Sequence, residues 1–440
     1  MSEAAIEIRE PASEQTAAGL GTTRGIATSL LFQASEKETL RRLASRVAEL
    51  AARPQEAQKA LLWTRHNDLE SAQPLIFCDP ENGWNEIIPL STLSCVDPLA
   101  RVWEMHLRKE IFWATEMLDD RVVEARFDVP YYYEDTGWGL QEKRVGGAHG
   151  GSYSWEAPIR DYERDFPSLA FPRILVDRAR TDRVLALAHE LFDGILEVRL
   201  HGLWWWTLGM TWDFIKLRGL GNFMMDLYDN PAWIHRMMKF MSEGLLGKLD
   251  FLEREGLLSA NTGGSYVGSG GFGWTSQLPA PGHDPARVRT RDMWGFAESQ
   301  ETVGVSTEMF EEFVFPYQLP ILERFGLNCY GCCEPMDPRW QVVKRIPRLR
   351  RVSVSPWANR GKMAEALGGD YILSLKPSPT PLAQGPLDEA EVRASLREDL
   401  RATRGCVVEL LMKDNHTLGG GPANAVAWCR IAREEIGRLS

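Results

Sequence analysis

The sequence predicts an α/β fold, a (β/α)8 TIM barrel with an N-terminal helical extension. Three observations carry that expectation. From residue 119 to 440, short apolar runs alternate with amphipathic helical stretches. The 440-residue length accommodates one large barrel with additions. No G-x-G-x-x-G follows any of the apolar runs, which weighs against a doubly wound sheet.

Taken in order, residues 1–30 are rich in Ala, Glu, Thr and Gly, and read as a flexible tail. Residues 31–118 read as an N-terminal helical layer. In it Glu36 to Ala52 has helical periodicity, with Ser35 as N-cap and Glu38 at the capping-box spacing, and Pro54 ends the run. Leu61 to His66 and Pro98 to Met117 are also helical, and Pro74 to Leu90 is an extended stretch broken by Pro and Gly. Eight strand candidates follow: Val122 to Asp128, Leu196 to His201, Leu257 to Thr262, Met293 to Glu298, Leu327 to Gly331, Arg351 to Ser355, Tyr371 to Lys376 and Cys406 to Lys413. Helical patterns lie between most of them, and Ala423 to Arg438 closes the chain. The run Gly263 to Gly273 lacks a phosphate-loop lysine and reads as a mobile barrel loop.

Composition excludes several classes. A hydrophobic content of 44% supports a large buried core. The net charge of −11, with scattered lysines and arginines, argues against a nucleic-acid partner. No apolar run approaches the roughly 18 residues of a membrane span. Seven cysteines with no even framework suggest free thiols or metal ligands in a reducing cytoplasm.

Barrel chemistry gathers at the C-terminal ends of strands, and those positions are rich in reactive groups. They are Asp128, His201 with Trp204–Trp206, Asn261, Glu298 with Gln300, Ser355 with Trp357, Lys376, and Lys413–Asp414 with His416. The densest stretch is Tyr330-Gly331-Cys332-Cys333-Glu334-Pro335. Cys332 or Cys333 with Glu334 and His416 would supply ligands for a catalytic zinc, which keeps three protein donors and one open position. In an extended backbone adjacent side chains point apart, so one of the two cysteines is expected to bind. Each residue also has a plain structural explanation: Asp128 as turn chemistry, His201 as a core histidine, the tryptophans as packing, Glu298 and Lys376 as a rim ion pair.

With Trp294-Gly295-Phe296-Ala297-Glu298-Ser299-Gln300, Val352-Ser353-Val354-Ser355-Pro356-Trp357 and Lys413-Asp414, these stretches resemble the uroporphyrinogen-decarboxylase-like superfamily, and within it the corrinoid-dependent methyltransferases. The resemblance implies a TIM barrel, zinc, and a methyl group passed from a small methylated donor to a corrinoid carried by a partner protein. Departures matter. Tyr330 stands where the branch has a zinc-binding histidine, and strand eight offers Asp414 and His416 in place of cysteine. Those departures direct the reading away from thiol methylation and toward aryl methyl ethers, with zinc acting as a Lewis acid. Within this reading Asp128, Glu298 and Lys376 are catalytic, His201, Trp205, Asn261, Gln300, Ser355 and Trp357 bind substrate, and Cys332, Cys333, Glu334 and His416 hold zinc. A homodimer is an allowed assembly. Two alternatives remain: a metal-free decarboxylase or lyase anchored on Asp128 and Lys376, and a barrel that only binds a tetrapyrrole.

Overall fold

The computed structural model describes residues 30–70, 73–146 and 153–438. Nearly all of the expected tail lies outside them. The first helix, α1 (Ala34–Ala51), buries Leu40, Leu43, Ala44, Val47 and Leu50, the three-and-four spacing of an amphipathic face. Its N-cap is Gln33, and Glu36 reaches back to the Gln33 N–H at 2.8 Å. The Ser35–Glu38 box expected from sequence is not used. Glu36 wins because its second oxygen also accepts the Val96 and Asp97 N–H groups, both at 2.8 Å, tying α1 to the chain that enters the next long helix. Between them lies α2 (Pro54–Asn67), followed by α3 (Pro98–Thr115).

Eight strands belong to parallel ladders: β1 (Leu75–Cys78), β2 (Arg126–Pro130), β3 (Glu197–His201), β4 (Trp294–Ala297), β5 (Leu327–Tyr330), β6 (Leu349–Val354), β7 (Ile372–Leu375) and β8 (Val407–Met412). Six form one sheet in the order β1-β8-β7-β6-β5-β4, and β2 pairs with β3 in a second. Two short antiparallel pairs, Tyr133–Asp135 with Ile174–Val176 and Lys143–Gly146 with Tyr153–Glu156, decorate the loop after β2. Seven of the expected strands are present. Leu257 to Thr262 is not a strand, and β1 is one, inside the stretch read as extended helical-layer chain.

β1 is a strand because it pairs in parallel with β8, and at the seams between the two sheets side chains stand in for a neighbouring strand. Along β1, the Asp120 carboxylate accepts the Ile76 N–H at 2.8 Å and Asp119 accepts the Cys78 N–H at 3.2 Å. Along β4, Asn261 accepts the Trp294 N–H at 2.9 Å and donates to the Trp294 carbonyl at 3.0 Å. Side chains therefore satisfy edge groups that a neighbouring strand would otherwise pair. Among the described residues the hydrogen-bonded ladder is open at these two places.

Strand alternation puts Arg351 and Ser353 of β6, Ser374 of β7 and Glu409 of β8 on one face of the large sheet. A parallel sheet is usually apolar on both sides, so a buried polar row is informative. Deep on it Arg351 pairs with Glu409 at 3.0 Å, and His66 of α2 meets Glu409 at 3.2 Å.

The glycine-rich run packs onto this face. A Cβ at Gly270 would enter Leu411, one at Gly271 would meet Arg351 and Glu409, and one at Gly273 would overlap the Asn261 carbonyl. Residues 269–273 are buried. The expectation of a mobile loop is corrected: the glycines permit close approach rather than motion. Gly273→Ala is expected to destabilise the fold by about 1–3 kcal/mol, read as a lower denaturation midpoint; an unchanged midpoint would show that the loop yields freely.

Candidate functional site: an aromatic cavity beside a vicinal thiol pair

A cavity of about 170 Å³ runs along β2 and β3, lined from Glu124 and Arg126, around the start of β2, to Pro130 and His201 at the strand ends. Helix α3 turns one face to it, presenting His106, Lys109, Glu110 and Trp113 at successive three- and four-residue steps. The strands bring Asp128 and His201; the loop after β3 brings Trp204, Trp205 and Trp206; the glycine-rich loop brings Tyr266 and Val267. Ring packing fixes the walls. Trp204 lies 4.5 Å from Tyr133 and donates its indole N–H to the Leu257 carbonyl, and Trp206 meets Phe296 edge-on at 5.7 Å.

Charges in the cavity are mostly neutralised in place. Asp128 accepts from Arg199 at 2.8 and 3.0 Å, with Arg126 3.7 Å away. Burial works to raise the Asp128 carboxyl, but His201, Arg199 and Arg126 outweigh it and hold it below the usual range. Arg121 grips Glu110 through both terminal nitrogens at 2.8 and 2.6 Å. Burial lowers the imidazoles of His201 and His106, so neither adds charge near neutral pH.

The second cluster lies at the end of β5. Gly331, at a φ of 93°, turns the chain out of the strand. The following thiols do not point apart as an extended backbone would require. The sulfurs of Cys332 and Cys333 stand 3.7 Å apart. Their shared hydrogen bond raises the Cys332 thiol well above its ordinary value and lowers that of Cys333. Lys376 donates to Ser353 Oγ at 2.6 Å, and Ser353 donates to the Cys332 carbonyl at 2.8 Å. Burial brings Lys376 down to about 8. Burial also opposes the charge on Lys413, but Tyr266, Cys332 and Asp414 overcome it and raise that ammonium. Glu298 is fully buried; burial, then Glu301 and Glu334, push it well above the ordinary carboxylate value, which favours its protonated form. Its Oε2 accepts the Gln300 N–H at 2.9 Å, while Oε1 has no hydrogen-bond partner among the described residues.

The residues expected from sequence thus divide. Asp128, His201, Trp205 and Asn261 meet at the cavity. Cys332, Cys333, Glu334, Glu298 and Lys376 meet around the thiol pair; the buried Ser355 hydroxyl, just past β6, has no hydrogen-bond partner among the described residues. Two lie apart: Trp357 is 78% exposed, and His416 is exposed and 3.4 Å from Asn82. Asn261 spends both ends of its amide on the Trp294 backbone, which makes it a seam residue rather than a substrate ligand. Glu298 and Lys376 form no rim ion pair. Sequence reasoning missed Lys109, Tyr266 and Asp79. Asp79 directly follows β1, and the Leu75–Cys78 run ending in a carboxylate carried the same signal as the other strands.

The ligand set fits a metal only in part. Two thiolates about 2.3 Å from one tetrahedral ion lie close to 3.7 Å apart, the separation of the sulfurs here. Glu334 does not fit: its oxygens accept the Ser299 N–H at 2.8 Å and the Cys332 N–H at 2.9 Å. Nor does His416, held outward on its loop. Among the described residues no three His, Cys, Asp or Glu side chains converge as a metal-binding group, so the four-residue set is not assembled.

No protein-family model and no curated protein matches the chain. Among solved structures, a methyltransferase from Methanosarcina mazei aligns over 86% of this chain and 98% of its own, at 14% identity and a TM-score of 0.47. Likeness at that level carries no argument about fold or activity. No helix of the described residues is long and apolar enough to cross a membrane.

Proposed function

We propose that this chain is a methyltransferase that moves a methyl group from a small methoxyaromatic donor to a corrinoid carried by a separate protein. One observation carries the reading. The glycine-rich loop joins the aromatic cavity to the thiol pair: Tyr266 and Val267 line the cavity, and Ser269 donates to the Gly331 carbonyl at 2.8 Å, one residue before Cys332. In this reading a ring held between aromatic walls would lie against the same loop that contacts the chain leading into Cys332 and Cys333. We take the two parallel sheets as sectors of one (β/α)8 barrel whose seams are bridged by Asp119, Asp120 and Asn261, with the thiol pair at its C-terminal mouth and the cavity extending along the inside of β2 and β3.

In this reading Cys332 and Cys333 would hold zinc, with neither Glu334 nor His416, and the ion would supply Lewis-acid polarisation of the departing ether oxygen. The protein's own groups do the rest. The tryptophan loop and Tyr133 orient the ring and exclude water. Glu298, its carboxyl raised by burial and with one oxygen free of hydrogen bonds among the described residues, serves as a proton reserve for the site. The decarboxylase alternative is weaker, because both Asp128 oxygens already accept from Arg199, which leaves that carboxylate less acceptor capacity for a substrate.

Two measurements test the proposal. Protein purified without added metal is expected to hold zinc near one per chain, and the Cys332→Ser/Cys333→Ser variant well below that. With meta-methoxybenzoate as donor and cob(I)alamin as acceptor, methylcobalamin should form, and the double variant should lose at least about 100-fold in rate, the upper end of losses seen for outer-shell groups. Sub-stoichiometric zinc in both proteins removes the metal. Absence of methylcobalamin in the unaltered protein removes the methyl-transfer reading.

A further inference from the structure

We infer that Lys109 is an anion-binding residue of the cavity and that the methoxyaromatic donor carries a carboxylate; the inference rests on the methyl-transfer reading above and narrows its substrate class. The argument starts from charge pairing. Three lysines and arginines line the cavity: Lys109, Arg121 and Arg126. Arg121 is held by Glu110 at 2.6 Å and Arg126 by Glu124 at 2.7 Å. Among the described residues Lys109 alone of the three has no carboxylate partner. Its ammonium lies 5.3 Å from the centroid of the Trp84 ring, a contact that steadies the cation without neutralising it.

An unpaired cation in a largely enclosed site is costly to the fold. Burial already draws the Lys109 ammonium down to about 8, against the pull of Asp79 and Glu110, so it remains mostly charged near neutral pH. Its position on α3, one turn from His106 and Trp113, makes it part of the lining of the same space that the tryptophan loop also lines. An apolar cavity of about 150 Å³ admits a benzene ring; at about 170 Å³ this one matches a single substituted ring. Aromatic walls, that volume and one ammonium that Asp79 and Glu110 influence but no carboxylate among the described residues meets at ion-pair distance together describe an aromatic monocarboxylate.

Calorimetric titration compares meta-methoxybenzoate with methoxybenzene, which differ only in the carboxylate, on unaltered protein, Lys109→Met and Lys109→Arg. The unaltered protein is expected to bind meta-methoxybenzoate about tenfold or more tightly than methoxybenzene. Lys109→Met should keep its affinity for methoxybenzene and lose the preference; Lys109→Arg should restore part of it. Equal affinity for the two probes in the unaltered protein, or a preference that survives Lys109→Met, overturns the inference while leaving a methoxyaromatic donor in place. Failure of the unaltered protein to bind either probe removes the aromatic-donor reading itself. A misfolded methionine variant, seen in its thermal midpoint, leaves the decision to the two-probe comparison on unaltered protein and to Lys109→Arg.

Discussion

Replacing Glu409 with glutamine is expected to cost the fold about 3–5 kcal/mol, the usual result of removing one partner of a buried ion pair. Glu409 is wholly inaccessible and Arg351 nearly so. The substitution keeps volume and shape, so the loss reads charge. Arg351 would be left as a buried cation held only by neutral acceptors: Asn67 Oδ1 at 2.6 Å and the Phe272 carbonyl at 3.2 Å. Those contacts explain why the effect should be global. The pair joins β6 and β8 to α2 and to the glycine-rich loop, so its failure loosens the floor beneath the thiol site. Typical domains have about 5–15 kcal/mol in all, and denaturant midpoints will show the shift directly. Arg351→Met/Glu409→Gln should recover part of the loss, since neutral residues together are tolerated better than a lone charge.

Acid gives the same pair a second signature. Burial acts to raise the Glu409 carboxyl, but Arg351 and then His66 outweigh it and hold it at about 2. A carboxyl depressed in the folded state stabilises the protein above its unfolded value of about 4.3, and that stability is lost as pH falls from there toward 2. Unfolding free energy should therefore decline over this range in the unaltered protein and decline less in Glu409→Gln. Parallel pH profiles for the two would show that Glu409 titrates as an ordinary surface carboxyl.

Much of the layout was readable in the sequence because strand and helix periods are local. The runs at Leu327 and Val407, and helices such as Pro231–Arg254, carry their own pattern and end where their punctuation says. What escaped was decided by partners far away in the chain. Leu257 to Thr262 has strand composition, yet Ser259 and Asn261 meet their neighbours through side chains, which no local pattern reports. β1 is four residues long and flanked by Pro74 and Pro80, so it reads as broken chain until β8 pairs with it. The thiols were legible as a cluster; their mutual approach depends on the left-handed turn at Gly331. Glu334 was legible as a nearby carboxylate, but not the two N–H groups that occupy it. Lys109 stood out to no motif, because its significance is the partner it lacks.

Glu334 yields the second large effect, and it discriminates between the ligand role the sequence suggested and the positioning role the geometry supports. Its two oxygens clamp the Ser299 N–H, just past β4, to the Cys332 N–H, just past β5. Glutamine at this position offers one acceptor and one donor where two acceptors are required, so one N–H loses its bond and faces another N–H group. Hydrogen bonds to charged groups are worth about 1.5–3 kcal/mol each, and an unsatisfied buried donor costs about as much again; Glu334→Gln should therefore lower stability by about 3 kcal/mol. The thiols report the local consequence. With the Cys332 backbone released, the 3.7 Å sulfur contact should open, and the rate of modification by an aromatic disulfide reagent should change at Cys333, the more accessible of the two. Zinc binding, if the paired sulfurs are its seat, should weaken through the same displacement, with stability and thiol reactivity shifting alongside it. A variant that loses zinc while stability and thiol reactivity stay unchanged would put Glu334 on the metal itself, and the two backbone N–H groups would then have to be satisfied by something else when the ion is bound.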